Sequence, residues 1–201
     1  MLFTAVRHLL IILAGVTAVL AWPSTAASQT VSGQARVVQT TTIDRLGTIT
    51  TTTLADTGML NDSTDKRQSS QLSANVPGLL SGGVLHATTI GYPDEVDSEV
   101  SLANLALTVG GNTIGADFVM ARATASQAAG GSGVVSISGL SVNGLPIGVT
   151  GLPNQTIGIP GGQIVINEQQ RSPGGTVVNA LHVVVTGVAD VTIGSATAGV
   201  Q

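Results

Sequence analysis

The sequence predicts an all-β protein: a single-domain antiparallel β-sandwich or a related barrel, following an N-terminal signal peptide. About ten short segments are rich in Val, Ile and Thr, whose branched side chains suit a pleated sheet. Turn residues recur roughly every eight to twelve positions, and no long segment has a helical period. With 2% aromatic residues and no Cys, the core is expected to consist of Val, Ile, Leu and Ala.

Residues 1–27 have the features of a secretory signal peptide. Arg7 precedes an apolar run at 9–21, which is followed by Pro and small residues. A cationic start, an apolar run of about 7–15 residues and a small-residue cleavage site are typical of such peptides. The run is shorter than the roughly 20 residues that span a membrane. We predict cleavage after Ala27, or one residue earlier, and a mature domain of residues 28–201 without a membrane span.

The first third of the mature chain predicts a hairpin, an exposed loop and a short turn. Residues 34–54 are rich in Val, Ile and Thr and are interrupted by a turn signal at 44–47. Residues 61–71 are the one sustained polar and charged run, which we interpret as a loop. Residues 76–83 are bounded by Pro and Gly and have room for one helical turn at most.

Residues 103–121 predict a well-defined hairpin. A two-residue turn at 111–112, where a positive φ costs little, places Leu105 opposite Phe118. The same register places Met120 and the other large apolar side chains on one face, and it places Thr and Asp on the opposite face. This agreement between the turn and the period-2 alternation favours two paired strands.

The last third of the chain predicts two further strand pairs. One turns at 143–144, with Gly139 as a bulge and Pro146 indicating a sheet edge. The other pairs 163–168 with 176–186. The second strand of that pair is apolar on both faces, which is typical of a central strand, and one more strand is expected to close the chain.

Several stretches carry a resemblance to a known family. They are GQARVV (33–38), LADTG (54–58), VPGLLS (76–81), LHATTIGYPDEVDSEVSLANLALTVGGNTIGADFVMA (85–121), PNQTIGIPGGQIVINEQ (153–169) and NALHVVVTGVADVTIGSATAGV (179–200). Together they resemble the choice-of-anchor P family over nearly the whole mature chain. The resemblance implies an exported bacterial protein, extracellular or surface-associated, and it supplies no catalytic residue. The C-terminal segment has no apolar tail, so we expect release or non-covalent retention.

Charge and composition argue against several partners. The chain has a net charge of −4, and Lys66 is its one lysine. A surface that follows phosphates needs clustered Lys and Arg, with aromatic side chains on which bases stack. Nucleic acid is therefore not an expected partner. The mature domain has two aromatic residues, Tyr92 and Phe118, which also argues against a sugar site built from stacked rings.

Asp56 is a candidate catalytic residue because Asp56-Thr57-Gly58 is the triplet of aspartic proteases. Those enzymes bring two such carboxylates together so that the pair shares one proton. The sequence contains a single triplet, so this activity would require a dimer. The alternative is a strand that ends in Asp, with Gly58 allowing the turn, and short motifs of this kind are common.

An acidic cluster and two histidines are candidate metal ligands. Asp94, Asp97 and Glu99 lie close together in the sequence, and calcium binds through several carboxylate oxygens. Their spacing is not that of an EF-hand, so a solvated acidic rim is the alternative. His86 and His182 occur in similar contexts, LHA and LHV. If their strands were neighbours the two imidazoles would bind a metal, whereas two separate structural histidines are the commoner case.

The leading prediction is an exported, non-enzymatic structural or interaction protein of the cell surface or extracellular space, with the periplasm as an alternative location. A weakly charged Thr- and Ser-rich surface and free edge strands favour self-association, so a homo-oligomer is expected. The alternatives are a calcium-dependent ligand-binding module and a hydrolase, either the dimeric Asp56 protease or a histidine metal enzyme. No other cofactor is expected.

Overall fold

The computed structural model describes residues 30–201, which form two antiparallel sheets packed face to face. The predicted all-β sandwich is therefore confirmed. The predicted signal peptide, residues 1–27, lies outside the described residues. The first and last described segments meet at one end of the sandwich, where the Thr30 amide donates to the Gln201 carbonyl at 2.8 Å.

Thirteen strands occur in the described residues. They are β1 Val31–Ile43, β2 Ile49–Asp56, β3 Lys66–Val76, β4 Leu80–Gly91, β5 Glu95–Val109, β6 Asn112–Ser126, β7 Gly130–Ser138, β8 Ser141–Val142, β9 Leu145–Pro146, β10 Gln155–Ile159, β11 Gly162–Ser172, β12 Gly175–Val185 and β13 Ala189–Val200. Sheet A has the order β10-β11-β12-β13-β1-β2. Sheet B has the order β3-β4-β5-β6-β8-β9, and β7 also pairs with β6.

The core consists of aliphatic side chains from the inner faces of the two sheets. β13 packs against β5 and β6, β1 packs against β4 and β5, and β12 packs against β6 and β7. Fully buried side chains include Val37, Leu85, Ile164 and Ile193. No aromatic ring lies among the buried core residues of the described chain, as the composition predicts.

One row of residues crosses sheet A and reverses which side chains face the core. Asn167, Gly194 and Ala55 have positive φ angles of 53°, 68° and 46°. Ala180 and Val37 complete the row. Each pair of neighbouring strands from β11 to β2 has one position at which the residues are not paired, and these five residues lie at those positions. Two consecutive residues are buried at this row on β11, β12, β13 and β1. A left-handed residue inside a strand bends it as a bulge does, and the alternation resumes with the opposite phase.

The β5–β6 hairpin differs from its predicted register. It turns at Gly110 and Gly111, whose φ angles are 55° and 79°, and not at residues 111–112. Leu105 therefore pairs with Ala116, and the predicted register is wrong by two residues. Two adjacent glycines accept positive φ without a Cβ clash. Asn112 is instead buried, and its side-chain amide donates to the Pro160 carbonyl at 3.0 Å.

A second reversal of phase lies in the same hairpin. Asn104 has a φ of 51°, and Leu102 and Leu105 on either side of it are both buried. On β6 the side chain of Val119 faces the core, and that of its neighbour Phe118 therefore points outward and is 39% exposed. The prediction that Phe118 and Met120 lie on the core face is therefore wrong.

The other predicted elements have mixed outcomes. β12 lies between β11 and β13, as predicted for a central strand, and Pro146 lies on the edge strand β9. Val142 pairs with Leu145 across the predicted turn at 143–144. The predicted loop at 61–71 is wrong in its second half, because β3 begins at residue 66.

Candidate functional site

The sandwich distributes the candidate residues over two opposite outer faces. Asp56 and His182 lie on strands of sheet A, whereas His86, Asp97 and Glu99 lie on strands of sheet B. Each of these residues is flanked along its strand by buried neighbours, so its own side chain projects away from the core. Within residues 30–201, the two groups are thus kept apart by the packed sheets.

Asp56 ends β2, and three donors surround its carboxylate. Gln34 Nε2 and Arg36 Nε donate to its two oxygens at 2.8 Å each, and the Gly58 amide donates at 2.8 Å. Partial burial would raise the pKa of Asp56, but these hydrogen bonds and the charge of Arg36 outweigh burial. The pKa of Asp56 therefore lies below its ordinary value, and the carboxylate is ionised at neutral pH.

Thr57 shows that the Asp-Thr-Gly triplet terminates a strand. Its hydroxyl donates to the Gly58 carbonyl at 2.8 Å and accepts from the Ala35 amide at 3.0 Å. Its own amide donates to the Ala35 carbonyl at 3.0 Å. A protease carboxylate must share a proton with a second carboxylate, whereas Asp56 is an ionised acceptor held by Arg36 and Gln34. The geometry thus fits the structural alternative for this motif.

His182 is the centre of a polar cluster that joins three strands of sheet A. Its Nδ1 lies 3.1 Å from Glu168 Oε2 on β11, and its Nε2 lies 3.0 Å from Asp190 Oδ1 on β13. Asn179 Nδ2 donates to the same Glu168 oxygen at 2.6 Å, and Asn179 Oδ1 is buried without a hydrogen-bond partner. Each ring nitrogen of His182 thus faces a carboxylate, so the imidazole links neighbouring strands.

Sequence reasoning selected His182 but missed Glu168 and Asp190. Asp190 could have been found from the β12–β13 register, in which Thr192 pairs with His182 and Asp190 pairs with Val184. A residue two positions from the direct partner is a diagonal neighbour on the same face and lies within reach of a long side chain. The predicted strand between 188 and 200 contained this information, but its register with β12 was not assigned.

His86 is separated from His182 by the whole thickness of the sandwich. It lies on β4 in sheet B, where its Nδ1 is 2.9 Å from the Ser70 hydroxyl of β3. The two histidines are therefore not brought together, and the hypothesis of a metal site shared by them has no geometric basis. What the two histidines share is a place on the outer face of a strand, between two buried neighbours.

The acidic cluster is divided between a strand face and a turn. Asp97 on β5 accepts hydrogen bonds from Arg122 on β6, one of them from Nε at 2.8 Å and a second from the terminal guanidinium nitrogen. These bonds and the charge of Asp97 raise the pKa of Arg122 above its ordinary value. Asp94 lies in the turn before β5, where its carbonyl accepts from the Gln127 amide at 3.2 Å. Across residues 30–201, no three His, Cys, Asp or Glu side chains converge in an arrangement that holds a metal ion.

A groove at the end of sheet A lies apart from these ionisable clusters. It has a volume of about 270 Å³, and its lining includes Gly175, Gly199 and Gln201. Neither Asp56 nor His182 lines it. None of the candidate catalytic or metal-binding side chains lines this groove.

The free edge of β2 is a different kind of candidate surface. Residues 49–54 read ITTTTL and carry no charge and no Pro, and Ile49, Thr50, Thr51 and Thr53 are exposed. We call this segment the β2 edge. An uncovered strand edge presents backbone N–H and C=O groups that can pair with a further strand.

Comparison with family models, with curated proteins and with solved structures finds no match for this chain. The resemblance to the choice-of-anchor P family therefore stays a prediction. In the part of the chain that the structure describes, no helix is both long enough and apolar enough to span a membrane.

Proposed function

We propose that this protein is exported and acts at the cell surface or in the extracellular space as a non-enzymatic structural or interaction protein. The observation that carries the proposal is the β2 edge, an uncharged strand edge that the other residues of the 30–201 range leave uncovered. Pairing through a strand edge provides backbone hydrogen bonds without any need for a pocket. The protein therefore acts through contact with other polypeptides, including further copies of itself.

The ionisable side chains that were candidates for catalysis or metal binding already contact other charged or polar side chains, and this supports the proposal. Asp56 is held by Arg36, Asp97 is held by Arg122, and His182 lies between two carboxylates. Catalytic sites, in contrast, gather groups whose pKa values are shifted toward the working pH. In this protein the Asp56–Arg36 and Asp97–Arg122 pairs instead join neighbouring strands on outer faces.

Export is tested with the full chain in a bacterial host. Cells producing residues 1–201 with a C-terminal tag are fractionated, and the N-terminus of the product is determined by mass spectrometry. We expect the protein outside the cytoplasm, with a mature N-terminus at Ser28 or one residue earlier. A matched chain of residues 28–201 is expected to stay in the cytoplasm. An uncleaved, cytoplasmic full-length product would contradict the proposal.

The non-enzymatic part of the proposal is tested with a peptide library. Purified residues 28–201 and the Asp56→Ala variant are incubated with the library at acidic and neutral pH, and products are detected by mass spectrometry. We expect no cleavage by either protein, because Asp56 is an ionised partner of Arg36. Cleavage by the native sequence that disappears in Asp56→Ala would establish the protease instead.

A further inference from the structure

The backbone groups of the β2 edge follow from the hydrogen-bond pattern of the β1–β2 hairpin. The Asp44 amide donates to the Thr48 carbonyl at 3.0 Å. Hydrogen-bonded and non-hydrogen-bonded pairs alternate along an antiparallel ladder, so the next pair, Ile43 with Ile49, is non-hydrogen-bonded. The Ile43 amide indeed donates in the opposite direction, to the Val188 carbonyl at 2.8 Å.

The same alternation directs the backbone of three β2 residues outward. Thr51 pairs with Thr41, and Thr53 pairs with Gln39, at two and four positions beyond Ile49. The N–H and C=O groups of Ile49, Thr51 and Thr53 therefore point away from β1 toward the free edge. They provide three donors and three acceptors in line.

The other sheet edges of the described residues carry features that oppose strand addition, although on β3 the charges are confined to its first two residues. β3 begins with Lys66 and Arg67, and β9 ends in Pro146. β10 is five residues long. β7 packs against β12, and Gln169 Nε2 donates to the Gly133 carbonyl of β7 at 3.1 Å. Charges, Pro, short length and a covering side chain are the usual means by which proteins block edge pairing. The β2 edge has none of them, and the one charged residue of β2, Asp56, is paired with Arg36 beyond the end of this segment.

We propose that the β2 edge pairs antiparallel with the β2 edge of a second copy of this chain, about a two-fold axis at Thr51. This inference rests on the proposed function, because it names the partner and the surface of self-association. The axis sets Thr51 opposite Thr51 of the second copy and Ile49 opposite Thr53. The six outward donors of the two edges then meet six acceptors, and the two A sheets become one continuous sheet.

The side chains of the β2 edge suit pairing with an identical strand. An isologous interface needs a self-complementary patch, and this register places β-branched residues opposite one another without like charges. The register also brings the β1–β2 turn of each copy to the end of β2 in the other. Leu46 in that turn is 91% exposed, and Met59 just beyond β2 is 48% exposed, so exposed apolar side chains lie near both ends of the proposed interface.

This dimer differs from the one that an aspartic protease would require. Asp56 of one copy lies opposite residue 46 of the other, ten positions from the second Asp56. At about 3.4 Å per residue, the two Asp56 positions are roughly 34 Å apart along the strands. Their carboxylates cannot share a proton in this dimer, so the proposed pairing does not form the site that the protease hypothesis requires.

Disulfide trapping tests the pairing without interference, because the chain has no native Cys. Directly opposed residues have Cα atoms about 4.5–5.5 Å apart, within the range that a disulfide bridges. Thr51→Cys in residues 28–201 is expected to give a covalent dimer under mild oxidation, about tenfold or more faster than Thr41→Cys. Thr41 is the matched control because it lies beside Thr51 on the same face, one strand further from the edge.

A mixing experiment tests the register itself. Ile49→Cys protein mixed with Thr53→Cys protein is expected to give a heterodimer, whereas either variant alone gives little dimer. Equal trapping of Thr51→Cys and Thr41→Cys, or no trapping at all, would overturn the proposal. If the native protein is exported and self-associates, but Thr51→Cys forms no disulfide-linked dimer, only the pairing through the β2 edge is rejected. Failure of export would reject the proposed function itself.

Discussion

The Ser98 hydroxyl donates a hydrogen bond to the Thr197 carbonyl at 2.7 Å, and this bond joins the two sheets of the sandwich. Thr89 lies 2.7 Å from Ser98 through their hydroxyl oxygens. Because the one hydroxyl proton of Ser98 is directed to Thr197, Thr89 is the donor to Ser98. Both side chains are fully buried, so this short chain of hydrogen bonds lies inside an otherwise aliphatic core.

Ser98→Ala is expected to lower the free energy of unfolding by about 1–3 kcal/mol, because it removes the inter-sheet bond and leaves the buried Thr89 hydroxyl without its acceptor. Denaturant titration followed by circular dichroism measures the change. Ser101→Ala is the matched control, since Ser101 lies on the outer face of the same strand. Equal effects of the two substitutions would show that the inter-sheet bond contributes nothing.

The Asp56 carboxylate makes a pH-dependent contribution to stability. Its pKa in the folded protein is lower than the ordinary value of 3.8. A lowered carboxyl pKa stabilises the folded state above the unfolded value, and this contribution is lost as the pH falls through the folded value. Asp56→Asn is therefore expected to destabilise the protein by about 1 kcal/mol at pH 7, because the pair is partly exposed.

The difference between wild type and Asp56→Asn is expected to decrease below about pH 4 and to vanish in stronger acid. Urea titrations at several pH values measure it. A difference that stays constant between pH 7 and pH 2 would show that the charge of Asp56 is not what stabilises the end of β2.

The two histidines are expected to differ in their contributions to stability. His182→Ala leaves Glu168 and Asp190 without the imidazole that lies between them, so we expect a loss of about 1 kcal/mol at neutral pH. His86→Ala removes one hydrogen bond to Ser70 on an exposed face, and we expect a change within about 0.5 kcal/mol. Thermal melting of the two variants is the measurement. A larger loss for His86→Ala would contradict this assignment.

Calcium is expected to leave the melting temperature unchanged, because the guanidinium of Arg122 already neutralises the Asp97 carboxylate. Melting curves with millimolar calcium and with a chelator test this expectation. Asp97→Asn serves as the control variant. A calcium-dependent rise in the melting temperature that disappears in Asp97→Asn would establish the cation site that the acidic cluster suggested.

The fold class was predictable because β-branched segments and turn residues are local signals. Gly and Asn at the turn of residues 143–144, and the apolar faces of β12, indicated their elements directly. The change in which side chains face the core at Asn104 was not predictable from period-2 alternation. Such alternation assumes that every second residue faces the core along the whole strand. A left-handed residue within a strand changes the facing of Phe118 while the pairing register continues.

The candidate site was predictable only in part. His182 was selected by residue type, but its partners Glu168 and Asp190 depend on how β11, β12 and β13 align. The same limit applies to the β2 edge, since the segment at 49–54 reads as a strand but its position at a sheet edge follows from strand order. Long-range pairing therefore determines which polar residues meet and which backbone groups stay free.

Sedimentation equilibrium of residues 28–201 tests the central claim most directly. Measurements extend from about 1 µM to about 1 mM, since a Kd in this range corresponds to a free energy of about −8 to −4 kcal/mol. We expect a concentration-dependent dimer for the native sequence and for Thr41→Lys, and a monomer for Thr51→Lys, which sets like charges opposite one another at the axis. A native protein that stays monomeric throughout, or a Thr51→Lys variant that dimerises equally well, would contradict the account.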